Sequence, residues 1–331
     1  MAADGASHHL SIQHPFDLFW SLADGPFGDR DLRRPHAQAR ALTRCFYVGL
    51  LSIAFRHLSL WDYYLGLRCI QPLWPVAWTA AVPPRMAAAA VLLLFVLGSL
   101  VAACVPDRLL ARSLAFVGCL EFFAFLYSFG TIRHVHHLLL LATLLLVLLP
   151  SGRGDDDAGK RAYLRAFWGV QCGVLLTYSM SGSLKLLSGL WHLASRGEGV
   201  FTPSAFSLHV ASSGFRFGVE PLLGGMALRW GALGLPLYLG VIYVELVSIA
   251  VAFRPSLHRA WGAVLIALHI AIALTLNLFF LPSILVLGVF LLASPFAPDR
   301  LDGRRAARDL PLVGRLLIPD ERKPAGQAPT A

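Results

Sequence analysis

The 331-residue chain is 56% hydrophobic and only 14% charged, and its mean hydropathy is +0.64. These values exclude an ordinary soluble domain and predict an integral membrane protein. The formal net charge is +9, but membrane topology accounts for it, so no nucleic-acid partner is predicted. The five cysteines form no CxxC pair and fall mostly in apolar runs, which indicates small buried side chains rather than a disulfide framework or metal ligands.

Eight segments are long and apolar enough to approach the roughly 20 residues that a spanning helix needs. We therefore predict an all-α, polytopic membrane helix bundle with about eight spanning helices. The first forty residues are polar and contain no apolar run with a small-residue cleavage site, so we expect the first span to direct insertion. The predicted spans are 41–60, 86–105, 111–129, 134–150, 166–188, 231–252, 260–279 and 281–297.

The distribution of basic residues orients these spans. Cytoplasmic loops of membrane proteins carry an excess of Lys and Arg. Successive loops between the predicted spans lie on alternate sides of the membrane; the loops on one side hold twenty basic residues, and those on the other side hold six. Both termini are therefore predicted to be cytoplasmic, and the alanine- and arginine-rich composition indicates a bacterial inner membrane. The rich set comprises the N-terminal arm through Arg44, the loops 106–112, 151–165 and 254–259, and the C-terminal tail.

The predicted organisation has three parts. Residues 1–40 form a cytoplasmic arm, residues 41–298 the transmembrane domain, and residues 299–331 a basic, partly disordered cytoplasmic tail. Two long loops fall on the opposite side. Residues 61–85 are rich in Trp, Tyr and Pro, which is typical of an interfacial or re-entrant segment. Both loops, 61–85 and 189–230, are predicted to form lids over a membrane cavity.

The fifth predicted span carries an ammonium group at the end of its apolar run, in LTYSMSGSLKLLSGLW (176–191). Lysine accounts for only three of the 28 basic residues, and a lysine can release its proton where an arginine cannot. Gln171, Tyr178 and Lys185 recur every seven residues and therefore share one helical face. Gly182 lies beside this stripe and would let a neighbouring helix or a flat ligand approach closely.

The next two predicted spans carry polar side chains at similar intervals. Tyr238 and Glu245 are seven residues apart on the sixth span, and His269 and Asn277 are eight apart on the seventh. Ionisable groups inside a membrane are costly and usually face the interior of a bundle or a wet cavity. We therefore expect three consecutive helices to present polar seams to one another.

Three histidines cluster at the predicted start of the fourth span, in TIRHVHHLL (131–139). His134 and His137 are three residues apart and share a helical face. No third ligand lies nearby in the sequence and no HExxH pattern accompanies them, so no metal site is predicted. A position at the membrane interface is enough to explain the presence of His134, His136 and His137.

Each polar group also has a purely structural interpretation. Lys185 is explained as a cation that snorkels to the interface from a helix end, Glu245 as a pairing partner for Lys185 or a histidine, and His269 as a helix-packing group. A shared site is favoured because the predicted topology brings the histidine cluster, Lys185 and residues 189–230 to one side. We therefore predict that Lys185, His137 and His269 line one cavity, which opens to the extracytoplasmic side beneath residues 189–230.

Three stretches resemble a known family. They are YSMSGSLKLLSGLW (178–191), IRHVHHLLLLATLLLVLLPSGR (132–153) and the segment from VELVSIAVAFRPSLHRAW to LLASPF (244–296). Their order resembles the horizontally transferred transmembrane (HTTM) family, whose membrane part is shared with vitamin K-dependent gamma-glutamyl carboxylase. The resemblance covers most of residues 40–298 and implies the same membrane bundle.

The resemblance also implies roles for single residues. In the carboxylase, the lysine of a small-Gly-x-x-Lys motif is the proposed base that activates vitamin K hydroquinone, and Lys185 matches it. The family's histidine near the start of the fourth helix matches His134, His136 or His137, of which His137 is favoured, and its histidine in the penultimate helix matches His269. The candidate substrate-binding residues are Tyr178, Gln171, Glu245, His134 and Asn277.

Two departures from the carboxylase bear on the function. The carboxylase has two adjacent lysines where this chain has Leu184 and Lys185, and it has a large lumenal domain where only a polar tail follows residue 298 here. Protein gamma-carboxylation is therefore not expected. The resemblance favours a quinol-dependent oxidoreductase or carboxylase-like enzyme, with menaquinol or vitamin K hydroquinone as cofactor and membrane lipid and quinone as partners.

Two other functions fit the sequence. One is a non-catalytic membrane module that binds a lipid, a quinone or a protein partner that the sequence does not identify. The other is a transporter, which is disfavoured because the two halves of the chain show no inverted repeat of short, Gly- or Pro-broken helices.

Overall fold

The structure is a computed structural model that describes residues 31–60, 62–63, 71–130, 132, 134–151, 156–196, 201–202, 204–300 and 302–314. Over these ranges it consists of helices and their connections, with no strand, which confirms the predicted all-α fold. The α-helices are α1 Arg33–Leu58, α2 Pro84–Cys104, α3 Leu109–Tyr127, α4 His137–Val147, α5 Asp157–Arg196, α6 Ala205–Phe217, α7 Gly224–Arg229, α8 Gly234–Leu246, α9 Ser248–Ala252, α10 His258–Leu276, α11 Leu281–Leu287 and α12 Gly303–Arg308. Short 3₁₀ segments cover Trp74–Ala81, His134–His136, Gly231–Leu233 and Pro255–Leu257, and a π-helical segment, Gly288–Leu292, extends α11.

Three of the described helices are long and apolar enough to cross a membrane by length and composition. They are α2, α3 and the segment Pro255–Leu276, in which a 3₁₀ turn leads into α10. Shorter apolar helices cover His134–Val147, Gly234–Leu246 and Leu281–Leu292. These findings support the membrane assignment at this coarse level.

Helix α5 is much longer than the predicted span 166–188. It runs for 40 residues, which at 1.5 Å per residue is about 60 Å and about twice the thickness of a bilayer core. The apolar run ends near Lys185, but the following residues contain no proline and continue the helix to Arg196. Lys185 therefore lies inside a helix, eleven residues before its end, rather than at a helix terminus.

The predicted sixth span, 231–252, is interrupted at Val247, which separates α8 from α9. A backbone group released by the break finds a partner on α5, because Ile249 N donates to Ser179 Oγ over 2.8 Å. Gly182 allows this contact, since a Cβ built on it would lie 2.5 Å from Leu246 N. The backbones of α5 and α8 thus approach each other at a glycine, as predicted for a neighbouring helix.

Polar contacts join the five segments of the arginine-rich set at one end of the bundle, which we call the basic end. The fully buried guanidinium of Arg112 donates to the carbonyls of Pro106 and Leu149, beyond the C-terminal ends of α2 and α4, where helix dipoles favour a cation. Other contacts at this end are Arg34 with Asp299, Arg40 with Asp107, Tyr163 with Thr43, Arg254 with the Asp309 carbonyl, and Arg259 with the Pro298 carbonyl.

The described part of the C-terminal tail packs against the bundle. Asp302 accepts from the backbone N–H groups of Arg304 and Arg305 and thereby caps α12. Tyr243 Oη donates to the carbonyl of Pro311 over 2.7 Å, so the tail is held against α8. The predicted disorder concerns residues beyond Gly314, which lie outside the described residues.

The two long loops contain local helix where they are described. In 61–85, the 3₁₀ segment Trp74–Ala81 packs beside α3, and Trp78 Nε1 donates to Glu121 Oε2 over 2.9 Å. This contact ties the loop segment to α3. In 189–230, the end of α5 is followed by α6 and α7.

Replacing Gly182 by alanine tests the close contact between α5 and α8. The added methyl group would meet the α8 backbone rather than a flexible side chain, so Gly182→Ala should destabilise the protein by roughly 1–3 kcal/mol through overpacking. The melting temperature of the purified protein in detergent measures this. Gly169→Ala is the matched control, because Gly169 lies on the same helix with no atom within 4 Å of a built Cβ. Equal melting temperatures for the two variants would contradict the contact.

Candidate functional site

The polar stripe of α5 contacts three different parts of the bundle. Lys185 bonds to Glu245 of α8, Tyr178 to His269 of α10, and Gln171 to the carbonyl of Phe290 in the π-helical segment. The seams that were predicted on consecutive helices are thus joined through α5.

The centre of the candidate site is the ion pair of Lys185 with Glu245. Lys185 Nζ donates to both carboxylate oxygens. The Glu245 side chain is 6% exposed and that of Lys185 is 34% exposed. A carboxylate so shielded from water needs a bonded cation, and Lys185 supplies it.

A second hydrogen bond of the stripe lies about two turns before Lys185 on α5. Tyr178 Oη and His269 Nε2 are 2.6 Å apart, and both side chains are buried. The other ring nitrogen of the histidine, Nδ1, is buried and has no hydrogen-bond partner among the residues that the structure describes. Buried polar atoms are normally bonded, so His269 retains one unused hydrogen-bonding position, and its ring lies against Phe280 at 4.9 Å between centroids.

Electrostatic interactions connect the two pairs. Lys185 lies close enough to His269, and Glu245 close enough to Tyr178 and Tyr238, for their charges to interact with those side chains. We call Tyr178, Lys185, Glu245 and His269 the central cluster. It combines a phenol, an ammonium, a carboxylate and an imidazole from three helices, which are groups that can donate, accept and exchange protons.

Gln171 belongs to a different hydrogen-bond network nearer the basic end. Besides the Phe290 carbonyl, its Nε2 donates to Ser294 Oγ over 3.0 Å. Ser294 Oγ also lies 2.8 Å from His258 Nδ1. The described contacts of Gln171 therefore join α5, α10 and the end of the last apolar helix, which is a helix-packing role.

The histidines at the start of α4 form a separate aromatic group. The Nδ1 atoms of His134 and His137 are 3.2 Å apart. His136 stacks on Phe123 with 4.0 Å between ring centroids and bonds through Nδ1 to Tyr127 Oη. The described residues include no set of three or more His, Cys, Asp or Glu side chains that could hold a metal ion.

The described contacts of Lys185, His137 and His269 do not test the cavity that these three side chains were predicted to line. Lys185 lies within electrostatic range of His269, but no hydrogen bond joins the two side chains within the described ranges. Within the described ranges, no hydrogen bond, ion pair or ring contact joins His137 to either of them. A cavity shared by all three side chains stays a prediction.

Asn277 ends α10. Its backbone has a φ of 54°, in the left-handed region that asparagine tolerates better than most residues, and its N–H bonds to the Ala273 carbonyl over 3.0 Å. The observed role of Asn277 is helix termination. A role in substrate binding stays a prediction.

Several residues of these networks were not identified from the sequence. Ser179 accepts from the backbone at the α8–α9 break, and Ser294 and His258 complete the Gln171 network. The only sequence signal for Ser179 was its place in the small-residue stretch SMSGS. Its role as an acceptor at the α8–α9 break could not be predicted, because nothing in the apolar run 231–252 reveals a break at Val247.

Comparison with known proteins gives no further assignment. No protein-family model matches the chain, and no match is found among curated proteins or solved structures. The similarity to the HTTM family thus stays a prediction based on sequence motifs.

Removing the charge of Glu245 tests the ion pair. Glu245→Gln leaves the Lys185 ammonium partly buried without its counter-ion, so it should cost about 3 kcal/mol, the lower end of the range for breaking a buried pair, because Lys185 is one-third exposed. Thermal unfolding in detergent measures the loss. Adding Lys185→Met to Glu245→Gln should recover most of it. A double variant as unstable as the sum of both single changes would contradict a direct pair.

Proposed function

We propose that the chain is an integral membrane protein with eight spanning helices, both termini in the cytoplasm, and a location in a bacterial inner membrane. Three helices long and apolar enough to span, together with three shorter apolar helices, support the assignment to a membrane. The concentration of arginine contacts at the basic end supports the orientation, because cytoplasmic loops are the arginine-rich ones. With this topology the central cluster lies within the membrane, with His269 at the middle of its predicted span 260–279 and Lys185 toward the extracytoplasmic end of its predicted span 166–188.

Reporter fusions test this orientation. A fluorescent protein fused after Ala331 should fluoresce, and alkaline phosphatase at the same position should be inactive, because fluorescent proteins fold in the cytoplasm and the phosphatase needs the oxidising periplasm. In a cysteine-free background, Glu220→Cys should react with a membrane-impermeant maleimide in intact cells. An active C-terminal phosphatase, or reaction at position 220 only after lysis, would contradict the topology.

We further propose that the central cluster binds the polar head of a lipid-soluble quinol, such as menaquinol or vitamin K hydroquinone, and removes a proton from it. The observation that carries this proposal is the buried, unpartnered Nδ1 of His269, a residue whose other ring nitrogen bonds to Tyr178 and whose imidazole is within electrostatic range of Lys185. A phenolic hydroxyl or a quinone carbonyl can bond to an imidazole nitrogen. The resemblance to the membrane part of the vitamin K-dependent carboxylase supports the same ligand class.

The ion pair provides a route by which the proton of the quinol hydroxyl can be removed. Transfer of a proton from the Lys185 ammonium to the Glu245 carboxylate gives a neutral amine and a carboxylic acid. The amine then takes the proton of the quinol hydroxyl, which yields a quinolate and restores the ammonium. Lys185 acts as the general base, Glu245 holds the relayed proton, and His269 and Tyr178 orient the ligand.

A second function is favoured by one observation. Both oxygens of Glu245 are bonded to Lys185, so the amine is engaged in the arrangement observed. A non-catalytic module that binds a quinone, a lipid or a protein partner would use the pair only to hold α5 against α8. Variants of Lys185 distinguish the two functions.

Lys185→Arg and Lys185→Met, studied in lipid nanodiscs, provide this test. We expect mass spectrometry to detect a quinone copurified with the wild type, and we expect menaquinol-dependent oxygen uptake. Lys185→Arg keeps the charge but cannot supply a base, so it should retain bound quinone and lose oxygen uptake by at least about 100-fold. Full activity of Lys185→Arg would exclude Lys185 as the base.

Lys185→Met separates catalysis from folding in the same assay. A normal yield and melting temperature with lost oxygen uptake would support the enzyme. Low yield and low melting temperature, with no oxygen uptake even in the wild type, would support the non-catalytic module.

A further inference from the structure

A short helical hairpin lies at the end of the bundle opposite the basic end. Its helices, α6 and α7, are joined by a turn at Gly218, whose φ of 63° is in the left-handed region where glycine is favoured. We call residues 204–230 the α6–α7 hairpin. It falls within the loop that the sequence predicts as a lid.

The hairpin docks on the first turn of α8 and the last turn of α10. Leu223 N donates to the Leu274 carbonyl over 2.9 Å, and Ser213 Oγ donates to the Leu276 carbonyl. On the other side, a Cβ built on Gly234 would lie 2.4 Å from Phe206 Cβ, so α6 packs directly on the start of α8. The hairpin therefore lies level with one end of the candidate span Pro255–Leu276.

The outer surface of the hairpin is strongly apolar. Phe215 is 89% exposed, Leu222 is 81% exposed and Leu208 is 66% exposed, and Val219 beside the turn is also exposed. Soluble monomeric proteins rarely leave such a group of large apolar side chains in contact with water. Something apolar must cover this surface.

The pattern along α6 indicates what covers it. Leu208 and Phe215 are seven residues apart and form an apolar stripe. His209 and Arg216, each one position further along, form an adjoining exposed polar stripe. Helix α6 has 13 residues and is about 20 Å long, too short to cross a bilayer core of about 30 Å. An apolar stripe bordered by basic side chains on a short helix is typical of a helix that lies in the plane of a membrane interface.

The acidic residue of the hairpin does not interrupt this surface. A Cβ built on Gly225 would lie 3.2 Å from Glu220 Oε1, so the carboxylate turns back toward α7.

We propose that the α6–α7 hairpin is immersed in the bilayer interface, with Leu208, Phe215, Val219 and Leu222 covered by acyl chains. The side chains of His209 and Arg216 lie at the level of the lipid phosphates. The partner of this surface is the phospholipid leaflet. The hairpin is therefore embedded in the membrane where it packs on α8 and α10, and it is not a lid that faces water. The proposal requires the chain to be in a membrane but is independent of any quinol chemistry.

Environment-sensitive labels test the proposal on the full chain in nanodiscs. Single cysteines are introduced into a cysteine-free background as Phe215→Cys and Leu222→Cys, with His209→Cys as the matched control on the polar stripe, and each is labelled with a nitrobenzoxadiazole dye. We expect blue-shifted emission and several-fold lower fluorescence in nanodiscs of dibrominated phosphatidylcholine at positions 215 and 222. At position 209 we expect weaker bromine quenching and stronger quenching by aqueous iodide.

Two results would overturn the proposal. Strong iodide quenching at 215 and 222 would mean that the hairpin faces water, and protection from both iodide and bromolipid would mean that protein, such as a second copy of the chain, covers the surface. Only variants with the wild-type melting temperature are scored. Leu208→Cys and Val219→Cys on the same surface replace any variant that fails to fold.

Discussion

The ion pair of Lys185 with Glu245 is the interaction on which the arrangement of the central cluster depends. It crosses the contact of α5 with α8 at the level where Gly182 lets the two backbones approach. A charged pair among apolar helices is stabilised only if both partners are held in register, because each charge alone would be expensive to bury. The pair therefore fixes how α5 and α8 align, and Tyr178, two turns before Lys185, reaches His269 of α10 from the same helical face.

The interruption of the sixth apolar segment serves this alignment. In a continuous helix from 231 to 252, Ile249 N would bond to the Glu245 carbonyl, whereas the break at Val247 leaves Ile249 N to be satisfied by Ser179. Broken helices at membrane depth occur where protein groups replace the lost hydrogen bonds. The break, the serine and the glycine together hold Glu245 opposite Lys185, which is why the small residues of SMSGS matter as much as the lysine that follows them.

The sequence predicted the helical faces better than the ends of the helices. Seven-residue spacing predicted that Gln171, Tyr178 and Lys185 share one helical face, and all three lie in the single helix α5, because helical periodicity is a local property. It could not show that α5 continues to Arg196, since hydropathy marks where apolar sequence stops and not where a helix stops. The first helix likewise begins at Arg33, inside the predicted arm.

Which side chains contact each other was the feature hardest to predict from the sequence. Glu245 was recognised as a candidate partner of Lys185 because both are rare ionisable groups in apolar segments. The Gln171–Ser294–His258 network and the contact of Trp78 with Glu121 join residues far apart in sequence, and only the packing of the helices brings them together. For the histidines of α4, the sequence suggested an association that the described contacts do not include. A shared predicted side suggested a common site with Lys185, whereas their observed contacts are with Tyr127 and Phe123.

The most direct test of the central claim is an experimental structure by electron cryomicroscopy of the protein in nanodiscs with added menaquinone. We expect density for a flat ring whose oxygen lies about 3 Å from His269 Nδ1, a hydrogen-bond distance, near the Lys185–Glu245 pair. A well-resolved central cluster with His269 Nδ1 bonded only to protein or water, and with the quinone bound elsewhere or not at all, would contradict it.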